Sequence, residues 1–511
     1  MSAVRRWLAY SLAVALVAVA YLLAAAPSRW PIQPFRAGVL ASSLSAQSSG
    51  APPLVGKAAL APTVVRAVAP GANGYLALTP GDDAGIYVYA PLVARAGGSH
   101  DPLDGVRWLY ALLFGLTAGI YPLVFRSLFR SRAAALAAPW ALLLGLVETV
   151  GFHDVYWILA WPVLTLLPVM MVLARRWPRR GLAVMVAVML AASFASSIRS
   201  SAGLPVLVAG AVLVLLHPWG PRRRAFVFAV MLAAYLAITP LGFSALGHYR
   251  DGWLGAGAFS AQHGHGVWHS AYIGLGYVPN RYGLHYRDSD GLVAGEREKP
   301  GVRYLAGDYE ATMRRVFLAM LRHDPGFVAR AAGDKAVVML GLEPFATAAL
   351  LALLCALVMC VLARTRHMLR RYVMLVLPAV ALGLVPAVAV APNPFYANGY
   401  LAAVLLTLLL ALGYGMSVLS ARGSAASELF AVRPSWKALS WRGRWAVAAA
   451  SSVAALMVVS AAVAPGMRAR AEAWAASPAG ATSSSPKRLE QLRAQVEQPL
   501  RRSLAGAPHR R

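Results

Sequence analysis

Apolar runs of about 20 residues alternate with short clusters of arginine along most of the chain, and this alternation constrains the fold more than any other feature. Each run is long enough to cross the hydrocarbon core of a bilayer, which is about 30 Å thick. Of the 511 residues, 59% are hydrophobic and 13% are charged, whereas soluble proteins carry about 25% charged residues. The pattern predicts an all-α polytopic membrane protein.

The apolar runs predict about eleven membrane-spanning helices. They lie near 7–26, 105–125, 133–150, 156–174, 181–198, 204–217, 225–243, 336–363, 372–390, 400–420 and 445–464. The run at 204–217 is short for a full span, which leaves a tilted or re-entrant helix as an alternative. The first run also resembles a secretory signal peptide. Its apolar stretch is longer than the usual core of about 7–15 residues, which favours an uncleaved span.

The arginine clusters predict how the spans are oriented. With the N-terminus in the cytoplasm, every inner connection is basic, at 5–6, 126–132, 175–180, 221–224 and 364–371. The outer connections 151–156 and 391–399 carry no Lys or Arg, and 197–203 carries only Arg199. Basic connections remain on the cytoplasmic side, so this alternation predicts a multi-pass membrane protein with a cytoplasmic N-terminus. The Ala- and Arg-rich composition indicates a GC-rich bacterium and hence the cell membrane. The alternation also explains the net charge of +28 without nucleic acid as a partner.

Two long polar segments then lie outside the membrane, at 27–104 and 244–335. The chain divides into a seven-span module that contains the first segment (1–243), the second segment (244–335), C-terminal transmembrane helices (336–464) and a basic tail (465–511). An apolar stripe in the tail predicts a short amphipathic helix of the kind that binds anionic membrane surfaces. The topology places this tail outside.

The first segment contains the adjacent carboxylates Asp82 and Asp83, which precede an apolar stretch at 84–96. This stretch predicts a helix on the outer membrane surface. Acids at a helix N-terminus are stabilised by the free backbone N–H groups and the helix dipole, so capping explains the pair without any function. A carboxylate fixed at a helix start beside the bilayer is also well placed as a base. The two explanations do not exclude each other.

Further ionisable residues concentrate at the predicted outer boundary. Glu148, His153 and Asp154 surround the turn after the third span, and Arg199 lies in the turn after the fifth. Ionisable groups near membrane depth are costly and indicate a functional site, while a capping role for Asp154 is the alternative. The guanidinium of Arg199 suits a phosphate group, and pairing with membrane lipid phosphate is its alternative.

The second segment contains the sequence HGHGVWHSAYIGLGYVPNRYGLHYRDSDG, at 263–291. Its aromatic rings offer flat faces for a sugar, and its polar tips suit sugar hydroxyls. We predict that Trp268, His269, Tyr272 and Asn280 face a cavity and bind substrate. The histidine spacing matches no common zinc site. No nucleotide-binding motif occurs in the chain.

This layout resembles the GT-C superfamily of membrane glycosyltransferases, which includes the protein O-mannosyltransferases, the aminoarabinose lipid A transferases and the oligosaccharyltransferases. The likeness rests on the long outer segment with an acidic pair, Asp82-Asp83, on a second acid at Asp154 between spans three and four, and on the large outer segment after span seven. It covers roughly residues 1–340. The spacing differs, because more than fifty residues separate the first span from the acidic pair.

The resemblance implies transfer of a sugar from a polyprenyl-phosphate donor to an acceptor hydroxyl on a glycan, a lipid or a protein, usually with inversion. Asp83 or Asp82 is then the base, and Asp154, His153 and Arg199 bind the donor. A divalent metal, Mg²⁺ or Mn²⁺, between Asp83 and Asp154 is left open. The alternatives are a lipid-linked glycan flippase, which is typically built from internal repeats that this sequence lacks, and a non-catalytic envelope assembly protein.

Overall fold

The computed structural model describes residues 3–29, 32–62, 65, 71–78, 84–129, 131–149, 154–175, 177–178, 180–255, 266–302, 304, 308–340, 375–392, 396–421 and 463–475. Among these residues, six helices are long and apolar enough to cross a membrane: Val4–Ala24, Pro102–Phe129, Val155–Arg175, Gly181–Ile198, Pro221–Leu254 and Asn398–Ser417. Shorter apolar helices occur at Ile86–Ala96, Arg132–Gly145 and Leu204–Leu216. The protein is a helical membrane protein, as the apolar runs predicted.

The first half of the chain forms a bundle around one long helix. The helices are α1 (Ala3–Arg29), α2 (Pro34–Ser48), α3 (Ile86–Ala96), α4 (Pro102–Phe129), α5 (Arg132–Thr149), α6 (Trp161–Arg175), α7 (Gly181–Ile198), α8 (Leu204–Leu216), α9 (Pro221–Leu236) and α10 (Phe243–Leu254). A 3₁₀ turn, Asp154–Leu159, precedes α6, and a π-helical stretch, Ala237–Gly242, joins α9 to α10. Helix α4 packs against α1, α3, α5 and α6.

Two glycines one turn apart allow α1 to approach α4 closely. A Cβ atom at Gly115 would lie 2.5 Å from Cγ2 of Val19, and one at Gly119 would lie 3.1 Å from the carbonyl oxygen of Ser11. This G-x-x-x-G spacing is typical of helix pairs in membranes, where small residues rather than hydrophobic burial permit tight packing. On another face of α4, the hydroxyls of Thr117 and Thr165 share a hydrogen bond of 2.7 Å that ties α4 to α6.

The remaining helices are α11 (Val267–Gly274), α12 (Asp288–Glu298), α13 (Tyr309–His323), α14 (Pro325–Leu340), α15 (Leu377–Ala389) and α16 (Asn398–Ala421), and a further helix spans 463–475. Helices α11 to α13 have their own small core around Leu292, Tyr309 and Met313. Helices α15 and α16 pack against each other, and α16 also contacts α5 and α6. Of the predicted spans, 336–363 and 445–464 lie largely outside the described residues.

Three features of the fold differ from the sequence-based prediction. The first segment contains three short strands, β1 (Val55–Lys57), β2 (Gly71–Ala72) and β3 (Tyr75–Ala77), in an antiparallel sheet of order β1-β3-β2. The predicted surface helix at 84–96 exists as α3, but its residues Ile86, Tyr87 and Val88 are buried against α2 and α4 rather than lying on the membrane. The span predicted to end at residue 243 continues through the π-helical stretch to Leu254.

The connections between helices separate into two groups. At one end of the bundle, the guanidinium of Arg175 donates to the carbonyls of Ser127 and Leu128, and the ring of Trp177 lies 4.7 Å from that of Trp219. The described residues of 126–132, 175–180 and 217–224 therefore share what we call the arginine face. The opposite end is the loop face, where the described residues of six segments meet through the contacts given below: 32–62, 71–78, 154–159, 199–203, 266–302 and 391–397.

The start of the C-terminal tail also reaches the second long segment. The ring of Trp474 stacks on His285 with centroids 4.7 Å apart. Arg287 donates a hydrogen bond to the carbonyl of Ala475. The helix at 463–475 therefore lies against residues of the loop face. The amphipathic stripe predicted at 489–500 lies outside the described residues.

Candidate functional site

Five side chains from separate parts of the chain meet on the loop face, and we call them the Arg–Tyr cluster: Arg36, Tyr156, Arg199, Tyr286 and Tyr396. The guanidinium of Arg199 lies over the ring of Tyr156, 4.6 Å from its centroid, and that of Arg36 lies over the same ring at 5.4 Å. Arg199 also lies 5.8 Å from the ring centroid of Tyr396. The ring attracts both cations, so two positive charges lie against the same tyrosine.

The tyrosines of the cluster form a hydrogen-bonded chain. The hydroxyl of Tyr156 donates to that of Tyr396 at 3.4 Å, and their rings pack edge to face. Tyr396 in turn shares a hydrogen bond with Tyr286. Burial raises the pKa of Tyr286 to about 12. Its phenol is therefore neutral at physiological pH and keeps the proton that it can donate to an anion.

Local backbone structure explains where each arginine points. Helix α7 ends at Ile198, and Arg199 follows in an extended conformation whose carbonyl accepts from the N–H of Ala202 at 2.8 Å. This turn directs the Arg199 side chain off the helix axis. Arg36 lies in the first turn of α2 and is 7% exposed, and its Nη1 donates to Oε1 of Gln33 at 2.8 Å. The hydrogen bond to Gln33 and the surrounding protein therefore fix the position of the Arg36 guanidinium.

The chain on both sides of the acidic pair is fastened to the bundle. The carbonyl of Leu78 accepts a hydrogen bond from the buried guanidinium of Arg250 at 2.9 Å. After the pair, the N–H of Gly85 donates to the carbonyl of Ser197 at 2.7 Å. A Cβ atom at Gly85 would lie 2.7 Å from the carbonyl carbon of Ser197, so only glycine fits this approach. Asp82 and Asp83 themselves lie outside the described residues.

A second polar network adjoins the cluster in the second segment. His269 is fully buried, with Nδ1 2.8 Å from the hydroxyl of Tyr309 and Nε2 3.1 Å from Oδ1 of Asp288. Asp288 begins α12, and its side chain is 36% exposed. Asp288 and Arg199 act in opposite directions on the pKa of Tyr286, which places the network and the cluster side by side. The structure thus sets the carboxylate of Asp288 and the guanidinium of Arg199 near the same phenol.

Glu310 holds the start of α11 in place. Its carboxylate accepts hydrogen bonds from the backbone N–H groups of Trp268 and His269, at 3.1 and 3.2 Å. These are N–H groups that the first turn of a helix leaves without an intrahelical partner, and a carboxylate there is further stabilised by the helix dipole. The approach needs the glycine at 266, where a Cβ atom would lie 2.1 Å from the carboxylate of Glu310. His269 is positioned by this cap.

The structure gives the other predicted substrate residues of the second segment packing and turn contacts. The ring of Trp268 packs on Phe317 and under Arg314, and Tyr272 packs against two small apolar clusters. Asn280 closes its own turn, since its amide donates to the carbonyls of Val278 and Leu284 and its oxygen accepts from two backbone N–H groups. Of the five predicted site residues whose side chains the structure describes, only Arg199 lies in the Arg–Tyr cluster.

His153 lies outside the described residues, as do His263 and His265 at the start of the quoted second-segment sequence. Asp154 begins the 3₁₀ turn that carries Tyr156, but its side chain and that of Glu148 are likewise not described. Within the part of the chain that is described, no group of three or more His, Cys, Asp or Glu residues is arranged to hold a metal ion. The side chains of the predicted metal ligands Asp83 and Asp154 are not described, so a metal between them stays a prediction.

Sequence reasoning missed Arg36, Tyr156, Tyr286, Tyr396, Asp288 and Tyr309. The two partners of His269 are 19 and 40 residues away along the chain, so no local spacing could connect them. Tyr156 and Tyr396 had a signal, because each lies in a predicted outer connection that contains no Lys or Arg. Comparisons with protein families, with characterised proteins and with solved structures found no match to this chain.

Proposed function

We propose that this protein is a membrane glycosyltransferase. In this proposal it transfers a hexose or pentose from a polyprenyl-phosphate donor to an acceptor hydroxyl on a glycan, a lipid or a protein, at the extracytoplasmic face of the cell membrane and with inversion. The N-terminus and the arginine face are cytoplasmic, and the loop face is outside. No nucleotide sugar is available there, which is why a lipid-linked donor is required.

The observation that carries the proposal is the pair of guanidiniums, Arg36 and Arg199, over the ring of Tyr156. A guanidinium binds phosphate with two parallel hydrogen bonds and keeps its charge at every physiological pH. Two guanidiniums that contact one tyrosine favour a ligand that carries more than one negative charge, or one whose charge increases during reaction. A phosphomonoester that leaves from a sugar fits both descriptions.

The anchoring of the chain around the acidic pair supports the assignment of the base. Ala84 follows Asp83 directly, and Gly85 is hydrogen-bonded to Ser197, two residues before Arg199. Leu78 is fixed by Arg250 on the other side. The described chain that directly follows the proposed base is therefore fixed against the turn that carries the proposed phosphate ligand. Which of Asp82 and Asp83 takes the proton stays open.

The carboxylate base, the two arginines and Tyr286 each have a role in a single displacement step. The acceptor oxygen forms a bond to the anomeric carbon while Asp82 or Asp83 takes its proton. The bond between the anomeric carbon and the phosphate oxygen breaks, and its electron pair leaves with the lipid phosphate. Arg36 and Arg199 stabilise the charge that develops there, and Tyr286 donates a hydrogen bond. A positioned carboxylate base typically contributes about 10²–10⁴-fold to such a step.

The experiment uses the purified full-length chain in proteoliposomes that contain undecaprenyl- or decaprenyl-phosphate-linked, radiolabelled hexoses and pentoses. We expect release of lipid phosphate together with labelled product for at least one donor. Arg199→Gln should lower the rate by about 10²–10³-fold, as expected when one preorganised donor to a developing oxyanion is removed. Arg281→Gln is the control, because Arg281 is a 72% exposed arginine of the same face.

Three results would contradict the proposal. Equal rates for wild type and Arg199→Gln would contradict the assignment of Arg199 to the phosphate site. Movement of the labelled lipid across the bilayer without release of lipid phosphate would identify a flippase. Binding of the donor without either event, under all acceptor classes, would identify a non-catalytic assembly protein.

A further inference from the structure

A cavity of about 350 Å³ lies between the second segment and α15, and none of its lining residues belongs to the Arg–Tyr cluster. Its volume falls within the range of about 300–1,000 Å³ that is usual for small-ligand sites. Apart from one lysine, its walls carry aliphatic or aromatic side chains, chiefly Leu275, Phe317, Val328, Leu384 and Val388. An apolar body fills such a space best.

The exception in the wall is Lys335, which is only 1% exposed. Its ammonium donates to the carbonyl oxygens of Gly274 and Ala389, each at 3.1 Å. An ammonium has three N–H donors, and these two carbonyls accept from two of them. The third donor can bind a ligand. Within the described residues, no carboxylate forms an ion pair with Lys335.

A buried cation with no counter-ion is costly, because two neutral carbonyls replace only part of its hydration. Burial accordingly lowers the pKa of Lys335 to about 7, and an anionic ligand would favour the charged ammonium. A single anionic group placed beside Nζ would take the remaining donor and supply the missing charge. The rest of the ligand must be apolar, because the rest of the wall is. These two requirements together describe an amphiphile with one anionic group.

The location of the cavity fits a ligand that enters from the bilayer. Helix α15 lies within the predicted span 372–390. Val385 on α15 lines the cavity and is also 54% exposed, so the cavity reaches the surface at that wall. Glycine at 274 allows α11 to approach this helix, since a Cβ atom there would lie 2.4 Å from the carbonyl oxygen of Ala389.

We propose that this cavity binds the alkyl chain of an anionic membrane amphiphile whose carboxylate or phosphate group pairs with Lys335. The ligand is either a free fatty acid or a phosphate-headed lipid, and both satisfy the same lysine. This site does not depend on sugar transfer. The cavity is tested by a binding measurement and the proposed function by sugar transfer, so a failure of one proposal can be distinguished from a failure of the other.

Native mass spectrometry of the purified full-length chain measures the occupancy directly. The probes are dodecanoate and dodecyl phosphate, with dodecanol and dodecyltrimethylammonium as uncharged and cationic controls. We expect a one-to-one adduct with an anionic probe that is about tenfold or more tighter than with dodecanol, the usual scale for one hydrogen bond to a charged group. Preference for dodecanoate identifies a fatty acid, and preference for dodecyl phosphate identifies a phosphate-headed lipid.

Two variants and one matched control separate an effect on binding from an effect on folding. Lys335→Met should remove the preference for anionic probes and leave the affinity for dodecanol unchanged. Ala332→Leu keeps the lysine but fills the cavity, so it should remove binding of all probes, whereas Ala329→Leu on the exposed side of the same helix should bind as wild type does. Equal binding of all four probes by wild type, or full binding by Ala332→Leu, would overturn the proposal.

Discussion

Gly85 determines how closely the chain after the acidic pair approaches the turn that carries Arg199. A Cβ atom there would lie 2.7 Å from both the carbonyl carbon and the hydroxyl oxygen of Ser197. The first of these atoms belongs to the backbone, which cannot move aside as the end of a flexible side chain can. The close approach of the chain after the acidic pair to the turn that carries Arg199 therefore depends on the absence of a side chain at residue 85.

Gly85→Ala should reduce sugar transfer without unfolding the protein. Displacement of a reacting group by about 1 Å can cost about 10²-fold in rate, so we expect a loss of that order in the proteoliposome assay. Gly247→Ala is the matched control, because nothing lies within 4 Å of a Cβ atom at that helical position. Loss of activity in both variants, or in neither, would contradict the role given to Gly85.

Single residues were predicted where a charge had no evident structural need. Arg199 was chosen because it is the only cation in its predicted outer turn; the structure places it against Tyr156 and Tyr396, and its role as a phosphate ligand stays a prediction. His269 was predicted to contact substrate, yet it is buried and bonds to Asp288 and Tyr309. Histidine, tyrosine and aspartate serve internal networks as readily as ligand sites. Only the tertiary contacts distinguish the two roles.

At the scale of elements, carboxylates hold the helices of the second segment at their N-termini. Asp324 precedes α14, and its Oδ1 accepts from the backbone N–H of Phe327 at 3.0 Å. The hydroxyl of Tyr282 and the guanidinium of Arg281 each lie 2.8 Å from Oδ2. The Phe327 hydrogen bond, followed by that from Tyr282 and the charge of Arg281, lowers the pKa of Asp324. The charged form is therefore favoured by folding.

This lowered pKa predicts an acid-dependent contribution to stability. A carboxyl whose pKa is lower in the folded state stabilises it above its unfolded pKa of about 3.9. That contribution is lost as the pH falls through the folded value. We expect Asp324→Asn to lower the thermal unfolding midpoint of the purified chain near neutral pH, with the difference from wild type shrinking below about pH 4. A difference that does not change with pH would contradict this account.

The sequence predicted the positions of helices well, but it predicted less well which neighbouring elements they pack against. The helix predicted at 84–96 is present as Ile86–Ala96, because its apolar residues are helix-compatible and flanked by glycine. Its burial against α2 and α4 followed from tertiary packing that no local pattern contains. The small sheet was missed because strands of two or three residues are too short to show an alternating pattern.

At the scale of the whole molecule, the charge pattern and the contacts agree on which connections share an end. The predicted outer connections carry Tyr156, Arg199 and Tyr396, which touch one another. The predicted inner connections carry Arg175, Trp177 and Trp219, which also lie close together. This grouping could be read from arginine positions alone, because charge controls membrane insertion independently of packing.

Cysteine labelling tests which end is outside. In a background that lacks Cys355 and Cys360, a membrane-impermeant maleimide applied to intact cells should label Ser200→Cys and Arg281→Cys. It should label Arg222→Cys only after permeabilisation, because that residue lies on the arginine face. All three positions are exposed in the structure. Labelling of Arg222→Cys in intact cells, with protection of the other two, would reverse the proposed orientation.

The central claim is that the acidic pair performs sugar transfer on the loop face, and the double variant Asp82→Asn with Asp83→Asn tests it most directly. The account predicts that labelled product falls by about 10²-fold or more, with the thermal midpoint close to that of wild type because asparagine still caps a helix. Asp101→Asn, at an exposed carboxylate that caps Leu103 in the same segment, should retain full activity. Unchanged product from the double variant would contradict the account.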